Sequence, residues 1–475
     1  MITFSKKDCN FLSIVGEELS LIREHFSCAN PTYAKNKFNK FAPSRIYCIT
    51  PSGRADIGLL SILQKYCIEQ NIQYSTDSAL MRDVGLNETI YNLPLKPGMS
   101  LRDYQSASVI EALRKGRGII VLPTAAGKTL TIATLVESLR YNNNIKQCLI
   151  IVPSIQLVEQ TYEDFLKYGI SSEMLSKWSG SNTPDLNKPI LIASLQILQS
   201  DKQDLSILDS IETVIVDECH KVRRGNQIND ILKKIKTNFK FGFTGTLPPD
   251  KIDQWNLIGK IGPILYEKKS IELRNVQQIA GVEIQILEID YLTKPSLSAP
   301  SSTNPTKAYD EENEFLNQSS ERNRIISNIS KKTDKNTLVL VERITHGEAL
   351  TKLIKENCPE KDVYFIQGSI DVSDRENIRQ LMEINNNIIC VAISKIFSTG
   401  ISINNLHYIV FASAGKAKIK ILQSIGRGLR LHPLKNKVYI FDIADNLRYG
   451  RKHLTDRIKL YEEEKIQYKR HRLQC

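Results

Sequence analysis

Residues 119–132, Ile-Ile-Val-Leu-Pro-Thr-Ala-Ala-Gly-Lys-Thr-Leu-Thr-Ile, hold the first group of side chains whose chemistry can be written down. The apolar run Ile119 to Leu122 predicts a buried strand. Pro123, Thr124, Ala125, Ala126 and Gly127 then form a small-residue loop, and Lys128 and Thr129 open a segment reaching Leu139 whose apolar residues recur at helical spacing. Such a loop can cradle a triphosphate. Its backbone N–H groups and the positive end of the next helix face the phosphates, the Lys128 ammonium reaches the outer ones, and the Thr129 hydroxyl holds Mg²⁺. The strict motif has Gly five residues before Gly127, where this chain has Leu122. An incidental turn is therefore the competing reading, and the rest of the chain has to decide.

A second group follows about ninety residues later. Thr213 to Val216 predicts a short apolar strand whose end presents Asp217, Glu218, Cys219 and His220. An acidic pair is what a phosphate loop needs: Asp217 to hold Mg²⁺, directly or through water, and Glu218 to orient and deprotonate an attacking water. Cys219 and His220 have no companions at zinc-site spacing, so a metal centre is set aside. The third group is Gln423-Ser424-Ile425-Gly426-Arg427-Gly428-Leu429-Arg430. Two arginines three apart share a helical face, where guanidinium can neutralise charge developing on a transferred phosphoryl group, an effect worth roughly 10³ to 10⁵ in rate. Two surface arginines on a solvated helix are the alternative, which leaves the nearby Ser398-Thr399-Gly400-Ile401-Ser402 unexplained.

The elements that must position these groups alternate. A helix starts at Leu-Arg-Asp-Tyr-Gln, 101–105, and runs to about Lys115; strands follow the phosphate loop at Cys148–Val152, Ile190–Ala193 and Thr213–Val216. After a long helical segment, Asn313–Lys331, strands recur at Thr337–Val341, Val363–Ile366, Ile388–Ala392, Tyr408–Ala412 and Val438–Phe441. Alternation of this kind implies parallel sheets, with ligands at the carboxyl ends of strands. Residues 1–92 read as a small accessory domain containing an amphipathic helix at Gly58–Gln70. Its stretch Tyr33–Tyr47 interleaves Lys35, Lys37, Lys40 and Arg45 with Tyr33, Phe38, Phe41 and Tyr47. Those residues either meet phosphates and bases or form the core and solvated face of a small domain. Pro94, Pro97 and Gly98 mark a boundary, Thr293–Thr306 reads as a Pro/Ser/Thr-rich loop, and 447–475 as a basic C-terminal helix.

Composition sets outer limits. Forming several domains is within reach of 475 residues, and 24% charged with 41% hydrophobic residues describes an ordinary globular chain. A net charge of +12 and a pI near 9.1 favour polyanionic partners such as nucleic acid. The nine scattered cysteines lack any Cys-x-x-Cys pair, which predicts reduced thiols. No uncharged apolar stretch approaches membrane-spanning length. A soluble protein of the cytoplasm, without a membrane partner, is the expectation.

Taken in order, Tyr104-Gln105, Pro-Thr-Ala-Ala-Gly-Lys-Thr, Val152-Pro153-Ser154, Asp-Glu-Cys-His, Thr244-Gly245-Thr246, Ser-Thr-Gly-Ile-Ser and Gln-x-x-Gly-Arg-x-x-Arg resemble the motifs of superfamily two helicases. Residues 396–407, 418–419 and 422–427 bring the chain closer still to bacteriophage recombination members of that family. The resemblance implies an α/β protein with two RecA-like parallel-sheet domains in tandem, 93–266 and 267–446, added to the small α+β N-terminal domain and the C-terminal helix, with ATP between the two. It assigns Gln105 to adenine, residues 123–129 to the phosphates, Thr129 and Asp217 to Mg²⁺, and Glu218 to the water. Gly400 would lie near the nucleotide, with Arg427 and Arg430 as arginine fingers. Pro153, Ser194 and Thr399 would touch the nucleic-acid backbone, while Thr244, Gly245, Thr246 and Gln423 would couple the two events. The chain departs from the family pattern at Ala125, where Gly is common, and over 42–56, where no sharp motif aligns.

The expected activity is that of an ATP-dependent DNA helicase or translocase remodelling branched or partly single-stranded DNA, with 3′ to 5′ polarity implied by the resemblance. A duplex translocase without strand separation, an RNA helicase and a catalytically silent nucleic-acid-binding protein remain as alternatives.

Overall fold

The computed structural model describes all residues except 31–32, 34–42, 82–85, 124, 181–182, 201–204, 276–279, 299–305, 369, 371, 395–402 and 414–436. Two compact units emerge, Met1–Pro123 with Gly127–Lys268, and Lys269–Cys475. Each is built on a seven-stranded sheet in which every pairing is parallel.

In the first unit the strand order is Ile264–Glu267, Arg117–Val121, Phe239–Thr244, Thr213–Asp217, Cys148–Val152, Ile190–Ser194 and Leu175–Trp178. The central strands are near-continuous Ile/Val/Leu runs buried on both faces, as parallel strands covered by helices must be. The helix Lys128–Asn143 is buried from Leu130 through Leu139, so it lies inside the unit with no solvated stripe along that stretch.

Ahead of it sits a small four-stranded sheet ordered Arg54–Asp56, Phe11–Val15, Ile2–Lys6 and Tyr74–Thr76, with a helix at Leu60–Glu69 where the sequence predicts one. Its apolar residues, among them Phe4, Phe26 and Leu63, share one core cluster with Trp255, Leu257 and Ile258 from the first seven-stranded unit. Polar contacts add direction. Asp56 takes both carboxylate oxygens to within 2.6 Å of Lys260 Nζ. Arg117 donates to the Ile261 and Cys9 carbonyls at 2.8 and 3.1 Å. Lys240, fully buried, donates to Asn10 Oδ1 at 2.7 Å and to the Leu232 and Ile235 carbonyls. Burial, then the neighbouring Arg117, push the Lys240 pKa down to about 7. The Tyr33–Tyr47 stretch lies mostly outside the described residues; within them, Tyr47 carries the Arg23 guanidinium 3.7 Å over its ring.

The second unit orders Asp362–Ile366, Ile388–Ile393, Thr337–Val341, Tyr408–Phe411, Lys437–Asp445, Gly281–Asp290 and Gln467–Gln474. Two expectations change here. The helical segment predicted at Asn313–Lys331 is two helices, Lys307–Gln318 and Ser320–Lys332, because Ser319 leaves helical geometry and its hydroxyl accepts from Arg322 N–H to cap the second. The C-terminal helix predicted over 447–475 covers only Arg448–Glu463; residues Gln467–Gln474 form a strand on the sheet edge. Among the described residues no helix is long and apolar enough to cross a membrane.

Close backbone approach joins the turn Ile57–Leu59 of the N-terminal part to the helix Lys251–Lys260 of the same unit. A Cβ on Gly58 would sit 2.0 Å from the Ile258 carbonyl oxygen and 2.8 Å from that of Gly259. Gly58→Ala should therefore destabilise the first unit by about 1–3 kcal/mol, the range for overpacking. A denaturant midpoint equal to wild type would show that the two parts are not locked at this contact.

Candidate active site

Register assembles the site. Thr244 lies opposite Val121 and Asp217 opposite Phe243, so the phosphate loop, Thr244–Thr246 and the acidic pair emerge side by side from three adjacent strands at the carboxyl edge. The Leu122 N–H donates to the Thr244 carbonyl at 2.9 Å, extending that alignment into the loop.

The loop bends through two left-handed residues, Ala125 at φ 67° and Gly127 at φ 78°, before the helix Lys128–Asn143 begins with Gly127 as its N-cap. Gly127 has no side chain with which to cap that helix, and the dipole at its first turn favours an anion. Gln105 braces the turn. It is buried, its Oε1 accepts the Arg102 N–H at 2.8 Å, and its Nε2 donates to the Gly127 carbonyl at 3.3 Å. Glycine suits position 127 because φ is positive and a Cβ there would lie 2.4 Å from Gln105 Nε2, forcing that amide out of its place.

The Lys128 ammonium is half-buried, 3.4 Å from the Leu122 carbonyl and 3.8 Å from Glu218 Oε1. Glu218 itself holds φ 51°, a left-handed conformation that costs a non-glycine residue of order 1–3 kcal/mol and is characteristic of functional sites. Its N–H is received by Asp217 Oδ1 at 2.9 Å. The turn also buries Cys219 against Gly242 of the next strand, where a Cβ would come within 2.8 Å of the sulfur. Burial, then Glu218, raise the Cys219 thiol well above its usual range. It is a packed, inert thiol, and among the described residues no group of three or more metal-ligating side chains occurs.

His220, set aside in the sequence together with zinc, has a different place. Its Nδ1 lies 3.3 Å from Glu218 Oε2 and 3.0 Å from Thr244 Oγ1. Thr244 Oγ1 in turn donates to the Thr246 carbonyl at 2.7 Å. His220 thus bridges the acidic pair and the Thr-Gly-Thr turn. Local sequence holds no trace of this, because Thr244 is 24 residues away and becomes a neighbour only through strand order.

Pro153 and Ser194 follow adjacent strands farther along the same edge, with Ser194 opposite Val152. Pro153 is half-buried, and the next residue, Ser154, caps the helix Ile155–Lys167. Ser194 is fully buried, its hydroxyl accepting the Ile197 N–H at 3.3 Å. Thr124, Thr399, Gly400, Gln423, Arg427 and Arg430 lie outside the described residues.

A phosphate loop on a parallel sheet with an acidic pair two strands away defines a P-loop nucleotide hydrolase. Residues 98–249 match the family model of the type III restriction enzyme res subunit, and 320–432 match that of the helicase conserved C-terminal domain. The chain is 31% identical over 390 residues, 77% of its length and 76% of the relative's, to the ATP-dependent DNA helicase uvsW of Enterobacteria phage T4. To the Drosophila melanogaster XPB helicase/translocase subunit of the general transcription and DNA repair factor IIH it is 26% identical over 396 residues, covering 78% of this chain and 46% of that one. Among solved structures, S. cerevisiae Dbp5 bound to RNA and ADP BeF3 matches the fold at TM-score 0.56 with 14% identity, over 80% of this chain and 94% of that one. The chain belongs to the superfamily two helicases and is an ATP-dependent helicase.

That family uses ATP, and the residues present fit it: the helix Lys128–Asn143 starts at the left-handed Gly127, the Lys128 ammonium stands 3.8 Å from Glu218, and Asp217 ends a strand on the same carboxyl edge. Gly127→Ala combines a positive φ with the clash on Gln105. It should weaken ATP by roughly tenfold or more, about 1.4 kcal/mol or greater. Titration with a fluorescent ATP analogue checks this, and unchanged affinity would mean the loop conformation is not used in binding.

Proposed function

We propose that this helicase remodels branched or partly single-stranded DNA, such as forks, displacement loops and four-way junctions, by ATP-driven translocation. The observation that carries the choice of DNA is the similarity, over 77% of the chain, to a protein described as an ATP-dependent DNA helicase. The likeness to an RNA-bound helicase is one of fold alone. The basic charge of +12 supports a polyanionic track.

In this reading Gln105 recognises adenine and residues 123–127 wrap the phosphates. Lys128 neutralises the outer phosphates, Thr129 and Asp217 hold Mg²⁺, and Glu218 activates water. His220 and Thr244–Thr246 relay the state of Glu218 along the carboxyl edge toward Pro153, where backbone phosphates would bind; Ser194, fully buried and capping its own helix, would act only by shaping that edge. Arg427 and Arg430 act as arginine fingers and Gly400 approaches the nucleotide; Thr399 touches the DNA backbone and Gln423 assists coupling. The same proposal divides the chain into an accessory domain at 1–92, motor domains at 93–266 and 267–446 and a C-terminal element at 447–475, acting in the cytoplasm of a cell or of a phage-infected host.

Hydrolysis measured with single-stranded, duplex and branched DNA and with RNA separates the alternatives. Branched or single-stranded DNA should stimulate most; stimulation by RNA alone would redirect the reading, and none at all would defeat it. Lys128→Ala should abolish hydrolysis. Arg427→Ala should bind ATP within a few-fold of wild type while turnover falls by roughly 10³ or more. Retained turnover in that variant would remove the finger assignment.

A further inference from the structure

We propose that the outer edge of the strand Gln467–Gln474 is a docking site for an extended acidic segment of a partner protein, which adds to the second sheet as a further strand. This strand ends the seven-stranded order and pairs in parallel register with Gly281–Asp290, from Glu283 opposite Gln467 to Asp290 opposite Gln474. Two more main-chain bonds, Cys475 N–H to the Asp290 carbonyl at 2.8 Å and Leu292 N–H to that of Cys475 at 2.7 Å, complete the inner ladder. Among the described residues no strand pairs with its other edge.

Edges of this kind are normally shortened, bulged, interrupted by proline, covered, or lined with charges that repel a second copy, because a free row of N–H and C=O groups is a template for another chain. This one is eight residues long, regular, without proline or glycine, and exposed except at the half-buried Tyr468 and Leu473. Its sequence Gln-Tyr-Lys-Arg-His-Arg-Leu-Gln carries three permanent cations and no acid. Some of that charge is used inward: Arg470 meets Glu288 through two bonds of 2.6 and 2.9 Å, and His471 Nε2 lies 2.7 Å from Gln285 Oε1. Lys469 stands 4.0 Å from Glu283, an acid that Lys437 already holds at 2.8 Å, and Arg472 is exposed. A positive surplus remains beside an open backbone.

Charge of a single sign selects the occupant. Two copies of this strand side by side would oppose like charges, so self-pairing is disfavoured, whereas Asp or Glu at alternate positions of an incoming strand is attracted. The backbone selects a polypeptide over a nucleic acid. Only a peptide brings donors and acceptors together at strand spacing; a phosphodiester brings acceptors alone. Main-chain bonds would supply affinity and the cations specificity, the division of labour in strand addition.

The test uses the full chain and fluorescence anisotropy with three labelled peptides of about ten residues: alternating Val and Glu, alternating Val and Lys, and the acidic peptide N-methylated at alternate backbone nitrogens. The acidic peptide should bind saturably and the basic one should not. N-methylation should weaken binding roughly tenfold or more, since it removes donors while keeping charge. Lys469→Gln with Arg472→Gln should cause a comparable loss, with basal ATP hydrolysis and unfolding midpoint unchanged. Equal binding of methylated and unmethylated peptides would reduce the contact to charge and overturn strand addition. Equal binding by the double variant would put the peptide elsewhere. Absence of peptide binding, with the double variant losing affinity for single-stranded DNA instead, would assign the edge to nucleic acid and overturn the proposal.

Discussion

The chemistry of the first unit depends on a shared register among three parallel strands. Arg117–Val121, Phe239–Thr244 and Thr213–Asp217 end within one residue of one another, so three loops open side by side. With strands about 4.8 Å apart, the phosphate-loop strand and the acidic strand are about 10 Å apart across the intervening one. Long side chains close that distance: Lys128 and Glu218 meet at 3.8 Å. A one-residue slip of any of the three would move its loop out of line with the other two and, with both faces buried, would refit every apolar side chain of the run against different neighbours. The strained backbone of Glu218 is tolerated because this frame holds both flanks: Asp217 ends a strand, and Cys219 is locked beneath Gly242.

The same strands carry a different load at their opposite ends. Arg117 begins the strand whose end is the phosphate loop, and Lys240 lies at the start of the strand that ends at Thr244. Lys240 is fully buried and Arg117 half-buried, and both reach across to Cys9 and Asn10 in the turn between Ile2–Lys6 and Phe11–Val15 of the small N-terminal sheet. Leaving either without its acceptors would strand a desolvated donor, a cost of about 1–3 kcal/mol per group and more for a charge. Docking and chemistry therefore use two ends of one rigid element. A force on the small sheet meets strands, not a hinge, before it reaches the loop.

Much of this was legible in the sequence because the strands are buried on both faces. Each is an apolar run that stops at a polar residue, so Ile119–Leu122 pointed to the loop and Thr213–Val216 to the acidic pair. What escaped depends on contacts between distant residues or on strands without an apolar signature. His220 looked like half of a metal site, since the Thr244 hydroxyl beside it is brought there by strand order. The helical pattern of Asn313–Lys331 runs through Ser319 without a visible break, because a serine interrupts by capping and not by changing hydropathy. Gln467–Gln474 has too few apolar residues for a period-two pattern. A basic helix and a basic edge strand read alike when neither buries a full face.

The second unit solves its positioning problem with charge. Arg322 is fully buried, bonded to Asp445 through Nε at 2.8 Å and Nη2 at 3.1 Å, and to the Ala412 carbonyl at 2.9 Å. Tyr291 adds its hydroxyl to the same carboxylate at 2.7 Å. A parallel arrangement joins Arg457 and Tyr461 to Asp442, both at 2.8 Å. Buried ion pairs are poor sources of net stability, since desolvation offsets most of the attraction, but losing one partner costs about 3–5 kcal/mol. Their value is direction: an apolar contact would fill the space, whereas a guanidinium fixes which carbonyl sits where. Ala412 directly follows the strand Tyr408–Phe411, and Ser394, whose hydroxyl donates to the Val341 carbonyl at 2.9 Å, directly follows Ile388–Ile393. Polar anchors at these two strand ends tie each to a neighbouring element through a directed bond, which an apolar contact of equal volume does not supply.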